Sequence, residues 1–163
     1  MHEVDLGRVL AVDERADWAA AEHDAGRTIA FTNGCFDLLH SGHLWSLAEA
    51  ARHADSLLVA INSDASVRDL KGPSRPLIPE DHRAALIAAL RPVAAVTIFA
   101  APTPLEVILQ VRPDVLVKGS EYAEADIVGA EEVRSWGGEV IRVPMRAGWS
   151  TSSIIAAIRD EQG

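Results

Sequence analysis

Short apolar runs alternate with helical stretches along most of the chain, and this alternation sets narrow limits on the fold. Runs such as Ser56–Asn62 (SLLVAIN) are continuous and strand-sized, and the stretches between them have the length and composition of helices. Strands that are apolar on both faces need helices on both faces, as in parallel sheets. The pattern therefore predicts an α/β, single-domain, Rossmann-like fold with a doubly wound parallel sheet of five strands.

The predicted elements follow one another without repeats or linkers. Strands are predicted at 28–32, 56–62, 94–99, 115–118 and 139–143, and helices at 13–25, 44–53, 80–90, 104–111, 127–136 and 151–159. We divide the chain into an N-terminal helical extension, residues 1–27, that packs on the core, and a main domain, residues 28–163. Ligands of such folds bind beyond the carboxyl ends of the strands, where the strand order reverses, so the loops after the strands form the predicted site.

Composition argues against several classes of protein. A net charge of −9 disfavours a nucleic-acid surface, and the apolar runs are too short to span a membrane. The N-terminal residues are acidic and interrupted, unlike a signal peptide. The single cysteine, Cys35, excludes a disulfide within the chain and is interpreted as small buried packing rather than as a nucleophile. We predict a cytoplasmic protein without nucleic-acid or membrane partners.

The segment FTNGCFDLLHSGH carries two histidines three residues apart, His40 and His43. Ser41 is the predicted N-cap of the following helix, and Gly42 leaves room for a ligand to approach the backbone. Both imidazoles then face one side of a helix start, where free N–H groups and the positive end of the helix dipole bind anions. The segment therefore indicates a phosphate site.

Other interpretations of this segment remain open at this point. Paired histidines near a helix start often serve as a cap and a solvated side chain. Zinc is a weaker alternative, because no third histidine or cysteine with suitable spacing is nearby. Asp37 offers one oxygen ligand, which suits magnesium carrying phosphates better than zinc.

The other loops at this edge supply cations and hydroxyl groups. They contain the only two lysines, Lys71 and Lys118, together with Arg75 and Arg146. The run Ser150-Thr151-Ser152-Ser153 opens the last helix and indicates a second anion site, the alternative being an N-cap with spare hydroxyl groups.

Arg83 lies in the first turn of the helix that Pro79 introduces. Two roles are open for it, an i,i+3 ion pair with Glu80 or contact with a phosphate. The glycines match neither the dinucleotide-binding fingerprint nor the P-loop, which disfavours a dinucleotide oxidoreductase and a P-loop kinase.

FTNGCFDLLHSGH resembles the signature of the HxGH nucleotidyltransferases, the superfamily of cytidylyl- and adenylyltransferases. The stretches LKGPSRPLIPEDHRAAL, RPDVLVKGSEY, IVGAEEVRSWGGEV and GWSTSSII are similar to one branch, the D-glycero-β-D-manno-heptose 1-phosphate adenylyltransferases. These form the second domain of the bifunctional ADP-heptose synthesis enzyme and also occur alone. The resemblance covers about residues 28–158, and glycerol-3-phosphate cytidylyltransferases share its NGxFD-like start and Gly-x-Ser-Thr end.

The resemblance implies that the chain joins a sugar 1-phosphate to ATP, giving an ADP-sugar and pyrophosphate, with Mg²⁺ accompanying the ATP. It also implies a homodimer and a separate sugar kinase that acts earlier. A cytidylyltransferase that uses CTP with glycerol 3-phosphate or another alcohol phosphate is the first alternative, and a non-catalytic nucleotide-binding module is the second. The preference among ATP, CTP and GTP stays open.

The resemblance and the loop positions together imply three groups of site residues. The catalytic group is His40, His43 and Lys71, in which the histidines contact phosphates and stabilise the transition state. The nucleotide and its phosphates are assigned to Thr32, Asn33, Gly34, Phe36, Gly42, Arg83, Lys118, Gly119, Ser150, Thr151 and Ser152. The acceptor is assigned to Asp37, Asn62, Arg75 and Arg146, and Asp37 is also the candidate magnesium ligand. The chain departs from the branch at Ser120 and Glu121, where VKGGDY is more usual, and at Trp45 and Trp149.

Overall fold

A six-stranded parallel sheet forms the middle of the computed structural model, which describes residues 6–144 and 150–160. The strands are β1 (Val9–Leu10), β2 (Ile29–Gly34), β3 (Ser56–Asn62), β4 (Ala95–Phe99), β5 (Val115–Gly119) and β6 (Glu139–Val143). The helices are α1 (Arg15–Asp24), α2 (Ser41–Ala50), α3 (Asp64–Lys71), α4 (Glu80–Ala88), α5 (Leu105–Val111), α6 (Ala130–Ser135) and α7 (Thr151–Asp160). The predicted α/β class and the parallel sheet are confirmed. No helix in these residues has the length and apolar character needed to cross a membrane.

The prediction of five strands was wrong, because β1 adds a sixth at one edge of the sheet. β1 has two residues, Val9 and Leu10, which pair in parallel with Val96 and Thr97 of β4. Two residues are too few to form a recognisable apolar run, so only the partner strand defines them as a strand. The N-terminal region therefore contributes to the same sheet as the main domain, and the division at residue 27 stays a prediction.

Alternate residues along the strands build an apolar layer on each face of the sheet. Phe31 and Leu58 pack on one face with α1, α5 and α6. Val59 and Val117 pack on the other face with α2 and α4. All seven residues of β3 are buried, as expected for a central strand covered on both sides.

The order of the strands is β1-β4-β3-β2-β5-β6, and it defines where a ligand can enter. From β2 the chain builds β3 and β4 on one side, and it then returns to build β5 and β6 on the other side. The connections after β2 and β5 therefore leave in opposite directions, which opens a crevice at their carboxyl ends.

The carboxylate of Glu22 links α1 to Arg27 and to the start of β3, near the amino ends of the strands. It accepts hydrogen bonds from Nε and Nη2 of Arg27, both at 2.7 Å, and from the hydroxyl of Ser56 at the start of β3. These donors, those of Arg27 first, lower the pKa of Glu22 to about 2, against the opposing effect of burial. The ionised form of Glu22 therefore stabilises the folded chain.

We expect Glu22→Gln to lower the free energy of unfolding at neutral pH by about 1–3 kcal/mol, because the bonds to an ionised acceptor are lost. The pKa of Glu22 is lower in the folded than in the unfolded chain, so its contribution is complete above about pH 4.5 and is lost as the pH falls towards about 2. Urea unfolding of both proteins across this range measures the effect. Glu139→Gln, at an exposed position in β6, is the control. A constant difference between wild type and Glu22→Gln at all pH values would contradict the assignment.

Candidate active site

A cleft opens at the carboxyl ends of β2 and β5, where the strand order reverses. Six residues predicted to bind the nucleotide line it, namely Thr32, Asn33, Gly34, Phe36, Lys118 and Gly119. His43 lines the same cleft from α2. Sequence reasoning missed other lining residues, namely Cys35, Ser46, Leu47, Val117, Glu121, Tyr122 and Val143. The apolar ones carry no signal of a site, whereas Glu121 lies two residues after the end of β5 and was open to prediction from its position.

The N-cap of the helix at the histidine pair lies one residue earlier than predicted. His40, not Ser41, is the N-cap of α2, with an extended backbone at φ −143° and ψ 170°. Its Nδ1 accepts a hydrogen bond from the backbone N–H of Gly42 at 3.1 Å. The imidazole thus does what a serine side chain was expected to do, and Ser41 becomes the first residue of the helix.

The two imidazoles stack on each other at the start of α2. The ring centroids of His40 and His43 lie 3.9 Å apart with planes inclined by 26°. The ring of Phe36 contacts His43 with centroids 5.2 Å apart. Phe36 has φ +49°, in the left-handed region that few non-glycine residues adopt, so the chain turns sharply after β2 and brings the ring against His43. Both rings are thereby held beside the free N–H groups of a helix start.

Both histidines are neutral at neutral pH in the protein without ligand. Burial, and then the proximity of His40, lower the pKa of His43 to about 4, and burial also lowers the pKa of His40. Because Nδ1 of His40 accepts a bond from Gly42, its neutral ring carries the proton on Nε2. An arriving polyanion would find an N–H donor on His40 and would raise the pKa of both rings.

The hydroxyl-rich start of α7 lies beside the loop that leads to His40. Ser150 and Ser153 bond reciprocally, from Ser153 N to Ser150 Oγ at 3.0 Å and from Ser150 N to Ser153 Oγ at 3.1 Å. The hydroxyl of Thr151 donates to the carbonyl of Leu38 at 3.2 Å. The starts of α2 and α7 are therefore joined, and Ser152 is exposed next to them. Arg146, assigned to the acceptor, lies outside the described residues.

Lys118 and Asn33 connect the two sides of the cleft. Nζ of Lys118, in β5, donates a hydrogen bond to Oδ1 of Asn33 in β2, and it lies 5.4 Å from the centroid of the Tyr122 ring. Burial lowers the pKa of Lys118 to about 8, although the charge of Glu121 acts in the opposite direction. The ammonium is thus only partly compensated and can bind an anion that enters the cleft.

Asp37 does not have the acceptor-binding or magnesium-binding role predicted for it. Its side chain is 2% exposed and accepts bonds from Nε of Arg75 and from the backbone N–H groups of Leu77 and Ile78. Both oxygens are occupied, so the carboxylate holds the loop before α4. Across the described residues no group of three His, Cys, Asp or Glu side chains could hold a metal ion.

Asn62 is also corrected, from an acceptor-binding residue to a buried packing residue. It is 5% exposed, and its Nδ2 donates to the hydroxyl of Ser66 at 3.0 Å. Its Oδ1 faces the thiol of Cys35 at 3.8 Å. The amide is used inside the fold and does not reach a ligand.

Arg83 is buried below the site surface and forms its ion pair with a residue other than Glu80, whereas its contact with a phosphate stays a prediction. It is 1% exposed, and it donates to the carbonyls of Ile78 at 2.9 Å, Cys35 at 2.6 Å and Asn62 at 2.9 Å. Its ion-pair partner is Asp64 at 2.7 Å, not Glu80. Arg83 therefore joins the ends of β2 and β3 to the loop before α4.

Two basic residues approach the site from the side of β3. Lys71 is the last residue of α3 and is exposed. Its charge acts on Cys35, where it opposes the burial that raises the pKa of the thiol. Arg75 uses Nε for Asp37, and its terminal nitrogens make no hydrogen bond within residues 6–144 and 150–160. These two cations remain available to a second substrate beside the cleft.

The sequence is similar to a known protein family and to proteins of known name. The model of the cytidylyltransferase-like family matches residues 31–157. The bifunctional protein HldE of Koribacter versatilis is 58% identical over 152 residues, which cover 93% of this chain and 31% of that protein. HldE of Syntrophotalea carbinolica is 50% identical over 172 residues, covering 100% of this chain and 35% of that protein. The chain thus spans about a third of the length of these curated relatives.

One solved structure extends the comparison to three dimensions. The crystal structure of the lipopolysaccharide core biosynthesis protein from Thermoplasma volcanium GSS1 aligns with a TM-score of 0.65 and 25% sequence identity. The alignment covers 74% of this chain and 99% of that chain.

Proposed function

Because the chain belongs to the cytidylyltransferase-like family and is a nucleotidyltransferase, we propose that it joins a sugar 1-phosphate to ATP, giving an ADP-sugar and pyrophosphate. The observation that carries the proposal is the stacked pair of His40 and His43 at the start of α2, beside a cleft at the reversal of strand order. The proposed sugar is D-glycero-β-D-manno-heptose 1-phosphate. The identity to HldE proteins supports this choice, as does the lipopolysaccharide role that the structural relative's name states.

The proposed reaction needs no general base. The phosphate oxygen of the sugar 1-phosphate is ionised at neutral pH, and it forms a bond to the α-phosphorus of the nucleotide. The bond from that phosphorus to the bridging oxygen breaks, and pyrophosphate leaves with the electron pair. The enzyme then has to hold the groups in line and to stabilise the charge that spreads over the phosphorus centre.

The residues of this chain can perform both tasks. Nε2–H of His40 and the ring of His43 would donate to the α-phosphate oxygens and to the leaving pyrophosphate. The hydroxyl of Ser152 and the N–H groups at the start of α7 would bind the triphosphate from the other side, and Thr151, whose hydroxyl donates to the carbonyl of Leu38, would hold that helix start in place. Lys71 and Arg75 would bind the acceptor phosphate as it approaches from the side of β3.

Magnesium is proposed only as an ion that the triphosphate carries. Asp37 does not fit it, because both of its oxygens accept bonds from Arg75 and from backbone N–H groups. Phosphate oxygens are hard ligands that magnesium accepts readily, so the nucleotide itself would hold the ion. Two further expectations stay predictions, a homodimer, which the mass in solution checks, and a cytoplasmic location. A sugar kinase activity would have to supply the sugar 1-phosphate.

Pyrophosphate release tests the proposal. The protein is incubated with ATP, CTP or GTP and with heptose 1-phosphate, other sugar 1-phosphates or glycerol 3-phosphate. Release with ATP and the heptose phosphate supports the proposal. Release with CTP and glycerol 3-phosphate supports the alternative function of a cytidylyltransferase, which the cytidylyltransferase-like description of the family favours. Nucleotide binding without release for any acceptor would indicate a non-catalytic module.

The lowered pKa of Lys118 predicts that the affinity for the nucleotide depends on pH. Burial lowers the pKa of its ammonium to about 8, so the charge is present below that value and is lost as the pH rises through it. We expect ATP to bind more weakly as the pH rises from about 7 to about 9, by roughly tenfold, the scale of one charge-assisted bond. Titration calorimetry of the wild type and of Lys118→Met measures this. An equally steep loss of affinity in Lys118→Met would assign the pH dependence to another group.

A further inference from the structure

We propose that Glu121 selects the nucleobase, because its carboxylate accepts a hydrogen bond from an exocyclic amino group. The cleft would then favour adenine and cytosine over bases that present a carbonyl at the same position. The inference rests on the proposed function in one respect, namely that this cleft binds a nucleoside triphosphate.

The carboxylate of Glu121 lies against the backbone of Gly119 in the cleft. A Cβ atom built on Gly119 would overlap both carboxylate oxygens of Glu121. The carboxylate therefore lies directly against the end of β5, in space that any other residue at position 119 would fill. Both residues line the cleft.

Glu121 is exposed, and its carboxylate is not paired with a donor in the part of the chain that the structure describes. Within the two described ranges, Glu121 makes no hydrogen bond and no ion pair of 4 Å or less, although its charge acts on nearby Lys118. The Lys118 ammonium instead donates to Asn33. Carboxylate oxygens only accept hydrogen bonds from such donors, so Glu121 can exchange its bonds to water for a bond from a donor group that enters the cleft.

The surroundings of Glu121 suit a flat heterocycle rather than a phosphate. Apolar side chains of Leu47, Val117 and Val143 line the cleft, together with Tyr122. The Tyr122 ring is 48% exposed and is thus available for stacking. The phosphates belong at the other side, where His40 and His43 stand at the start of α2. With the phosphates there, the base lies against the apolar wall and its edge faces Glu121.

The chemistry of the base edge decides which bases a carboxylate accepts. Adenine and cytosine carry an amino group at the position where guanine, hypoxanthine and uracil carry a carbonyl. An amino group donates to the carboxylate, whereas a carbonyl leaves it without a partner and repels it. A preference for amino-bearing bases therefore follows within purines and within pyrimidines alike.

Equilibrium binding of two matched nucleotide pairs tests the inference. ATP is compared with inosine triphosphate and CTP with UTP, so that ring size is constant within each pair. For the wild type we expect the amino-bearing nucleotide to bind about tenfold more tightly or better, the scale of one good base contact. In Glu121→Gln the amide can donate to a carbonyl, and we expect each preference to shrink to about threefold or less. Glu139→Gln, which removes the same charge at an exposed position in β6, should keep both preferences.

Two results would overturn the inference. One is a wild type that binds both members of each pair equally, and the other is a Glu121→Gln variant that keeps the wild-type preference. A third arm uses 2′-deoxy-ATP. Suppose that Glu121→Gln lowers the affinity for ATP and for inosine triphosphate equally but leaves the affinity for 2′-deoxy-ATP unchanged. Glu121 then binds the ribose, and its assignment to the base is wrong.

The binding readout separates this inference from the proposed function. No acceptor is present, so the preferences do not depend on turnover. A protein that discriminates between bases but releases no pyrophosphate contradicts the proposed function alone. One that releases pyrophosphate without discriminating contradicts the role of Glu121 alone, and one that binds no nucleotide contradicts both.

Discussion

Replacing His43 with alanine is expected to lower kcat for nucleotidyl transfer by about 10²-fold or more, the scale of losing one preorganised donor to a developing oxyanion. The ring of His43 is stacked on His40 and in contact with Phe36, and of the two imidazoles it is the one that lines the cleft. Pyrophosphate release at saturating ATP and sugar phosphate measures the loss. Because the proposed chemistry depends on charge stabilisation and not on proton abstraction, the effect should appear in kcat more than in KM.

The fold should survive this substitution. His43 is half-buried on α2, where alanine has a high helix propensity, so the far-ultraviolet circular dichroism should not change. His82→Ala, at an exposed position in the first turn of α4, is the matched control and should keep wild-type turnover. Turnover within about threefold of wild type in a folded His43→Ala protein would remove the basis of the catalytic assignment.

Replacing Arg83 with methionine is expected to lower the free energy of unfolding by about 3–5 kcal/mol, the usual cost of breaking a buried ion pair. Methionine keeps most of the volume but removes the donors to three backbone carbonyls and to Asp64. Those acceptors would stay in place without partners, and buried acceptors without partners are costly. Chemical unfolding monitored by tryptophan fluorescence measures the change.

Arg68→Met is the control for Arg83→Met, because Arg68 is exposed on α3, and it should change stability by less than about 0.5 kcal/mol. The result also decides between the two interpretations of Arg83. A variant with wild-type stability but more than about tenfold higher KM for ATP would mean that Arg83 binds phosphate, as the sequence indicated, and that its buried network matters little. Loss of stability in Arg83→Met supports the structural role.

The main features predicted from the sequence depend on residues close together in the chain. Continuous apolar runs such as SLLVAIN identified β3, and the pattern of small and polar residues identified the start of α7 and placed the cap of α2 within one residue. The spacing of three residues predicted that His40 and His43 face the same side of the start of α2, whereas the stacking of their rings became visible only in the structure. Apolar periodicity and helix capping act within a few residues, so a single sequence is sufficient to recognise them.

The partners of buried polar groups were not predictable in the same way. A sequence shows that Asp37, Asn62 and Arg83 are polar, but it does not show which of them the fold covers. The carboxylate of Asp37 accepts hydrogen bonds from the backbone of Leu77 and Ile78. The guanidinium of Arg83 donates hydrogen bonds to carbonyls at the ends of two strands. Once such a group is buried it has to be paired within the protein, so it is no longer available to a substrate.

The sequence by itself determined the fold class, the parallel sheet, the edge that carries the site and the histidine pair at the start of α2, because each depends on local periodicity or capping. Only the tertiary structure decided that β1 joins the sheet, that Asp37 and Arg83 are buried and paired within the fold, and that the carboxylate of Glu121 lies against the end of β5 in the cleft. These outcomes depend on contacts between residues far apart in the chain. Burial, pairing and exposure are properties of that packing, and residue type alone does not specify them.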